Sequence, residues 1–286
     1  MCYNLRYLTK KQHDYAVKFG ESKEEIDKLE KQLEIFSLQQ APVYHTSAFD
    51  HWPIPVITSQ EPKDFHFFNW GLIPGFVKDT HQYETKYTSR YLNARIESLF
   101  EEKQYNEQYK KHFDNPFYTS ALKRRCVIVA DGYYDWHWQG KTSYNFHIQL
   151  KSEEPMLLAG IWRKWESENE DVQRDTVAIV TTDANPLCRK VHNRPKASEG
   201  PRQLAILDDE GAKLWLSETD NPDDIDEIRS AIQVFPEDEM KAYPVKKLFI
   251  QEGRSRIPLN DIDCIKEVNF PELKFNKGND QMSLFN

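Results

Sequence analysis

Between residues 21 and 38 the chain reads ESKEEIDKLEKQLEIFSL. Ile26, Leu29, Leu33 and Phe36 recur at 3-4-3 spacing, which predicts a helix with one apolar stripe. Glu24 with Lys28 and Asp27 with Lys31 stand four positions apart, where opposite charges support a helix. Farther along, the period changes. RCVIVADGYYDWHW, YNFHIQL, PMLLAGIW, DTVAIVTTD and RQLAIL are short, β-branched and aromatic, with Gly, Pro, Asn or Asp between them. These runs predict strands. VIVA and VAIV are apolar throughout, so these two are predicted to be central and covered on both faces. EGAKLWL and DDIDEIRSAI predict short helices. No internal repeat and no strand–helix alternation is present. The expected fold is α+β: a single domain, residues 1–270, on a curved, mostly antiparallel sheet or irregular barrel with peripheral helices. Residues 271–286 turn polar and end in a small apolar knot, and are read as a flexible tail.

Composition narrows the function classes. Hydrophobic residues make up 39% and aromatics 13% of 286 residues, which excludes a disordered chain. A net charge of −8 argues against a general nucleic-acid coat, but phosphate binding rests on local clusters. Such clusters occur at 123–126 (KRRC), at 188–196 (CRKVHNRPK) and at Arg202. The four cysteines, Cys2, Cys126, Cys188 and Cys264, form no CxxC pair, so neither a zinc site nor a disulfide framework is expected, and no cofactor or metal is called for. With no apolar leader and no run long enough for a bilayer, a cytoplasmic protein without membrane attachment is expected, and a monomer is the default since nothing in the sequence bears on oligomeric state.

Polar groups set in apolar context mark candidate chemistry. Asn93, Arg95 and Glu97 alternate in YLNARIES. VADGYYDW ends a buried run in a turn and leads to Asp135. VTTDANPLCRKVHNRPK carries His192 and Arg194 in a loop after a buried strand. Each alone has an ordinary reading as a turn residue, cap, surface strand residue or solvated charge. Cys2 differs. If Met1 is removed, its thiol and a free α-amine stand on adjacent carbons, a pair no other position offers.

Together these residues resemble the SRAP family of abasic-site processing proteins. The matching pieces run in family order: MC at the start, WGLIP at 70–74, NARIES at 93–98, RCVIVADGYYDW at 125–136, GIW at 160–162, TTDAN at 181–185 and VHNRP at 191–195. The resemblance implies a protein that binds single-stranded DNA and links covalently to abasic sites through Cys2, first as an imine and then as a thiazolidine. It also implies removal of Met1 by the same site. An α-amine of pKa ~7.7–8.0 is partly neutral at pH 7, and the thiol beside it can close the ring intramolecularly. The resemblance assigns Asn93 to orienting Cys2, His192 to general acid–base work and Asp135 to proton handling. Arg95 and Arg194 fall to phosphate binding, and Trp70 to stacking on bases.

The chain departs from the family pattern in four places. Asp135 stands where the family carries Glu, one methylene longer. Asn4 replaces a phosphate-binding arginine, so that contact is either lost or taken up by Arg6. The segment 99–122 is long, and QYKKHF within it is read as a basic helix. YHTSAFDHWPIPVI replaces a commoner family segment, and His51 there is read as a surface or structural residue. At the end, QMSLF resembles the motif by which bacterial proteins bind the replication sliding clamp, with Gln281 at the pocket rim and Leu284 and Phe285 as anchors. Two competing classes remain: an N-terminal-nucleophile amidohydrolase using Cys2, and a non-catalytic nucleic-acid binder.

Overall fold

Two large sheets organise the chain, seen in a computed structural model that describes every residue except 1, 41, 107–108, 195–199, 219–223, 254 and 276–286. The strands in its first half are β1 Asn4–Tyr7, β2 Val43–Ser47, β3 Pro53–Thr58, β4 Phe65–Trp70, β5 Asn93–Arg95, β6 Lys103–Asn106, β7 Lys111–Asp114 and β8 Arg125–Ala130. Those in its second half are β9 Gly132–Gln139, β10 Thr142–Leu150, β11 Met156–Glu166, β12 Gln173–Asp183, β13 Arg202–Leu204, β14 Ile206–Leu207, β15 Met240–Val245, β16 Phe249–Glu252 and β17 Ser255–Pro258. The helices are α1 Gln12–Ala16, α2 Lys23–Gln40, α3 Thr80–Lys86, α4 Ile96–Leu99, α5 Tyr118–Lys123, α6 Pro186–Val191, α7 Asp209–Leu216 and α8 Ile225–Ser230.

β12, β4, β3, β8 and β11 pair in that order, and β11 pairs back onto β12, closing a five-stranded ring. All pairs are antiparallel except β12 with β4. The two uniformly apolar runs lie in this ring: every residue of β8 is buried, as is β12 from Thr176 to Thr182. Such sequences need cover on both faces, which a closed ring wrapped by a second layer supplies. β5 adds to β12 outside the ring, parallel to it, with Asn93 opposite Ile179.

β15, β10, β9, β1 and β2 form an open antiparallel sheet. The run RCVIVADGYYDWHW is therefore two strands. β8 belongs to the barrel, β9 to the open sheet, and the crossing falls at Asp131-Gly132. Gly132 sits at φ +157°, and a Cβ there would lie 2.6 Å from His147 Nε2 and 2.7 Å from the Ile148 carbonyl, so only glycine fits. Buried Asp131 fixes the corner by accepting from Thr9 N at 2.8 Å and Tyr15 Oη at 2.5 Å.

The amphipathic helix forms as its spacing predicts. Leu29, Leu33 and Phe36 are buried, and Phe36 stacks on Phe67 of β4 with centroids 3.6 Å apart. Lys28 turns to Asp64, at 2.6 Å. Two expectations need correction. The described part of QYKKHF, residues 109–113, is not helical; β6 and β7 are an antiparallel hairpin, with Tyr105 opposite His112 and Gln104 opposite Phe113. The packed body also runs past residue 270: Phe275 lies 4.5 Å from Phe146, and Lys274 N donates to Gln139 Oε1. Gln281, Leu284 and Phe285 lie outside the described residues. Among the described residues no helix is long and apolar enough to cross a membrane.

Candidate active site

Four elements deliver the central residues. Cys2 lies two residues before the start of β1, which pairs with β9 and sets Asn4 opposite Tyr134, bringing Asp135 beside the thiol. Alternation along β9 turns Asp135 away from the face that carries Tyr134 and Trp136. His192 ends α6, whose start is capped by Asn185 accepting from Cys188 N at 2.8 Å, with Pro186 at the first turn. Asn193 then clamps β9: it accepts from Trp138 N at 2.7 Å and donates to Trp138 O at 2.9 Å, which holds His192 over Asp135. Asn93 opens β5.

One carboxylate oxygen joins the chemistry. Asp135 Oδ2 accepts from Cys2 Sγ at 2.9 Å and lies 2.9 Å from His192 Nδ1. Asp135 Oδ1 accepts from Trp136 N at 2.8 Å. The shorter side chain thus spans both partners. Asn93 Nδ2 donates to the Cys2 carbonyl at 2.9 Å, and Asn93 Oδ1 is a buried acceptor without a partner among the described residues. Cys2, Asp135 and His192 are all buried.

Burial, and then the neighbouring Asp135 carboxylate, push the Cys2 thiol well above its ordinary range. For Asp135, burial acts upward but is outweighed by the hydrogen bond and charge of His192 and by the Cys2 thiol, so its carboxyl falls below the usual aspartate range. The proton between them therefore rests on sulfur. The three donor atoms lie within 4.8 Å of one another and could hold a metal ion. Binding one would cost the mutual hydrogen bonds and require the thiolate that burial disfavours. Cys188, whose Sγ lies 3.2 Å from Tyr133 Oη, is pushed up to about 12 by burial and has no α-amine beside it.

The remaining expected residues divide. Arg95 is 41% exposed, with Nε 3.7 Å from Glu97, and Arg194 is exposed. Arg6 is only 8% exposed; it donates to Thr9 Oγ1 and Gln149 Oε1 from the far end of β1, and reaches no surface near Cys2. Asn4 is buried against His45. Trp70 is 0% exposed, with its indole N–H donating to Leu92 O at 2.9 Å, so it cannot stack on a base. The exposed aromatic nearby is Phe76, two residues past that motif and 49% exposed, in edge contact with Tyr87 and Tyr91 just before Asn93. Two residues of the basic clusters are interior. Arg125 donates to the carbonyls of Ala121, Leu122, Trp215 and Ser217. Arg202 grips Glu97 with two hydrogen bonds, at 2.6 and 2.8 Å, and its carbonyl lies 3.8 Å from Cys2 Sγ. Arg202 thereby braces both Arg95, through Glu97, and the thiol. His51, with Nδ1 2.6 Å from Trp70 O, takes a structural place rather than a surface one.

Comparison with known proteins places this arrangement. Among relatives, the chain is 33% identical over 180 residues to the abasic site processing protein YoqW of Bacillus subtilis, covering 63% of this chain and 68% of that one. It is 23% identical over 260 residues to the abasic site processing protein HMCES of Xenopus tropicalis, covering 82% of this chain and 68% of that one. A crystal structure of a Bacteroides thetaiotaomicron protein superposes with TM-score 0.69 at 27% identity, covering 86% of this chain and 92% of that one. Residues 1–251 match the family described as SOS response associated peptidase (SRAP), and the chain belongs to that family.

Proposed function

We propose that this protein recognises abasic sites in single-stranded DNA and links to them covalently through Cys2 once Met1 has been removed. The observation that carries the reading is the shared oxygen of Asp135, 2.9 Å from both the Cys2 thiol and the His192 ring. The common name of the curated relatives, abasic site processing protein, supports the choice of lesion.

The chemistry follows from the order of the groups. His192 gives a proton to the sugar ring oxygen as the abasic sugar opens to its aldehyde. The free α-amine of Cys2 adds to the aldehyde carbon, and loss of water gives an imine. The thiol then adds to the imine carbon. Its proton passes through Asp135 to the imine nitrogen, forming the carbon–sulfur bond of the thiazolidine. Asn93 holds the Cys2 carbonyl, and its vacant oxygen can accept from the amine or a sugar hydroxyl. Arg95 and Arg194 contact flanking phosphates, and Phe76 takes the stacking role first given to Trp70.

The same order weighs against a thiolate-first amidohydrolase. Such enzymes place imidazole between thiol and carboxylate, so that an imidazolium stabilises the thiolate. Here the carboxylate lies between thiol and imidazole and keeps the thiol protonated. That suits a route in which the amine attacks first.

The test mixes the protein with a single strand carrying one abasic site and resolves the products on a denaturing gel. A shifted band is expected, absent for Cys2→Ala and for intact strands, with mass spectrometry placing the adduct on an N-terminal Cys2. No band, or an adduct on an interior residue, overturns the reading; hydrolysis of small amides without a band supports the amidohydrolase.

A further inference from the structure

The β6–β7 hairpin has no part in the site described above, yet it leaves the body just after Asn93 and Arg95. It is anchored at its root. Asn115 Nδ2 donates to the carbonyls of Ser98, Leu99 and Glu101, and Gln104 reaches the Ser98 hydroxyl at 3.1 Å. Beyond the root its aromatic rings stand in solvent, with Tyr105 50%, Tyr109 61% and Phe113 41% exposed. An isolated two-stranded ribbon is marginal in water, and exposed rings on it gain nothing from a core.

Position and chemistry indicate what covers them. Phe113 opposes Gln104, the residue that reaches Ser98, so the Phe113 face turns toward α4, which follows Arg95. Tyr109 lies against Phe113 at 5.9 Å, and Lys111 Nζ sits 4.7 Å over the Phe113 ring. Glu101, Glu102 and Asp114 lie at the root, whereas Lys110 and Lys111 lie toward the tip. Just past the hairpin, Phe117 meets Tyr91 and Tyr91 meets Phe76, so a run of rings leads from the hairpin's C-terminal end to the residues just before Asn93. The described hairpin residues include no Leu, Ile, Val or Met, and lysine is depleted where proteins dock on proteins. Rings interleaved with lysines match a single strand, whose bases stack and whose phosphates need cations.

We propose that the β6–β7 hairpin is an accessory single-strand-binding element: Tyr109 and Phe113 stack bases flanking the lesion, and Lys110 and Lys111 contact their phosphates. The inference rests on the reading that this chain binds single-stranded DNA. It adds a subsite that only a strand long enough to leave the lesion pocket can fill.

The test compares the full chain with Tyr109→Ala/Phe113→Ala and Lys110→Gln/Lys111→Gln, all at sites without core contacts. Fluorescence anisotropy measures binding to intact single strands of about 6 and about 30 nucleotides across a salt series. The ring variant is expected to weaken long-strand binding at least about fivefold for each stacked base lost, leaving the short strand unchanged. The lysine variant is expected to lower the long-strand salt slope by about 0.7 per lysine. Long-strand binding equal to that of the unaltered protein overturns the proposal, as does equal weakening on both lengths. Crosslinking of a short lesion strand, read in parallel, reports on Cys2 alone. Its absence with a length-dependent hairpin effect sinks the crosslinking reading and spares the hairpin; a normal band with unchanged long-strand affinity does the reverse.

Discussion

At the scale of single residues, Asp135 decides most. Its carboxylate accepts from the thiol and pairs with the imidazole from one oxygen, so Asp135→Asn keeps the shape and removes the proton path. Crosslinking should slow by about 10²–10⁴-fold in single-turnover gels, with intact-strand affinity unchanged. An equal loss of both would make Asp135 a structural residue. Asp135→Glu restores the family's usual residue, yet should not improve this protein. The site is buried and the shorter side chain already reaches both partners, so an added methylene should cost about 1–3 kcal/mol of stability, seen in the denaturation midpoint. A more stable, faster Asp135→Glu variant would show that the pocket has slack. Trp70 and Phe76 show what one sequence cannot rank. Both are aromatic and lie six residues apart, but closure of the barrel puts Trp70 opposite Val177 with its indole bonded to Leu92, and Phe76 is left outside.

At the scale of elements, the join between β8 and β9 matters most, because it carries the chain from the barrel to the sheet that bears Asp135. Gly132→Ala forces a methyl to within 2.6 Å of His147 Nε2 and 2.7 Å of a backbone oxygen at positive φ. A destabilisation of about 2–4 kcal/mol is expected from urea unfolding, together with slower crosslinking because Asp135 lies three residues on. An unchanged midpoint would mean the corner can yield. The helix α2 was legible from the spacing of Leu29, Leu33 and Phe36, since an apolar stripe of that period has one way to be buried. Leu33→Ala there should cost about 2–5 kcal/mol and leave the chemistry intact. QYKKHF was misread because it has neither a strand nor a helix period; pairing of its residues 111–113 with residues 104–106 gives that part its form.

At the scale of the whole molecule, stability should carry the signature of the buried pair. The Asp135 carboxyl binds its proton less tightly in the folded protein than in the unfolded chain. The pair therefore contributes stability above the ordinary aspartate range, near ~3.9, and that contribution is lost as pH falls through the lower folded value. Urea unfolding between neutral and acid pH should show the wild type losing more stability than Asp135→Asn below that range. Parallel curves would mean that His192 and Cys2 do not hold the carboxylate ionised.

The sequence by itself determined the local: the amphipathic helix and the two apolar runs, VIVA and VAIV, that lie buried in the barrel. These follow from periodicity, which needs no knowledge of neighbours distant along the chain. Only the tertiary structure decided that Arg6, Arg125 and Arg202 are interior while Arg95 and Arg194 face solvent. It also decided that Asp135, rather than His192, stands next to the thiol. Exposure and the order of groups in a hydrogen-bond chain depend on which strands pair, and the folded sheets bring Cys2 to the carbonyl of Arg202, two hundred positions away.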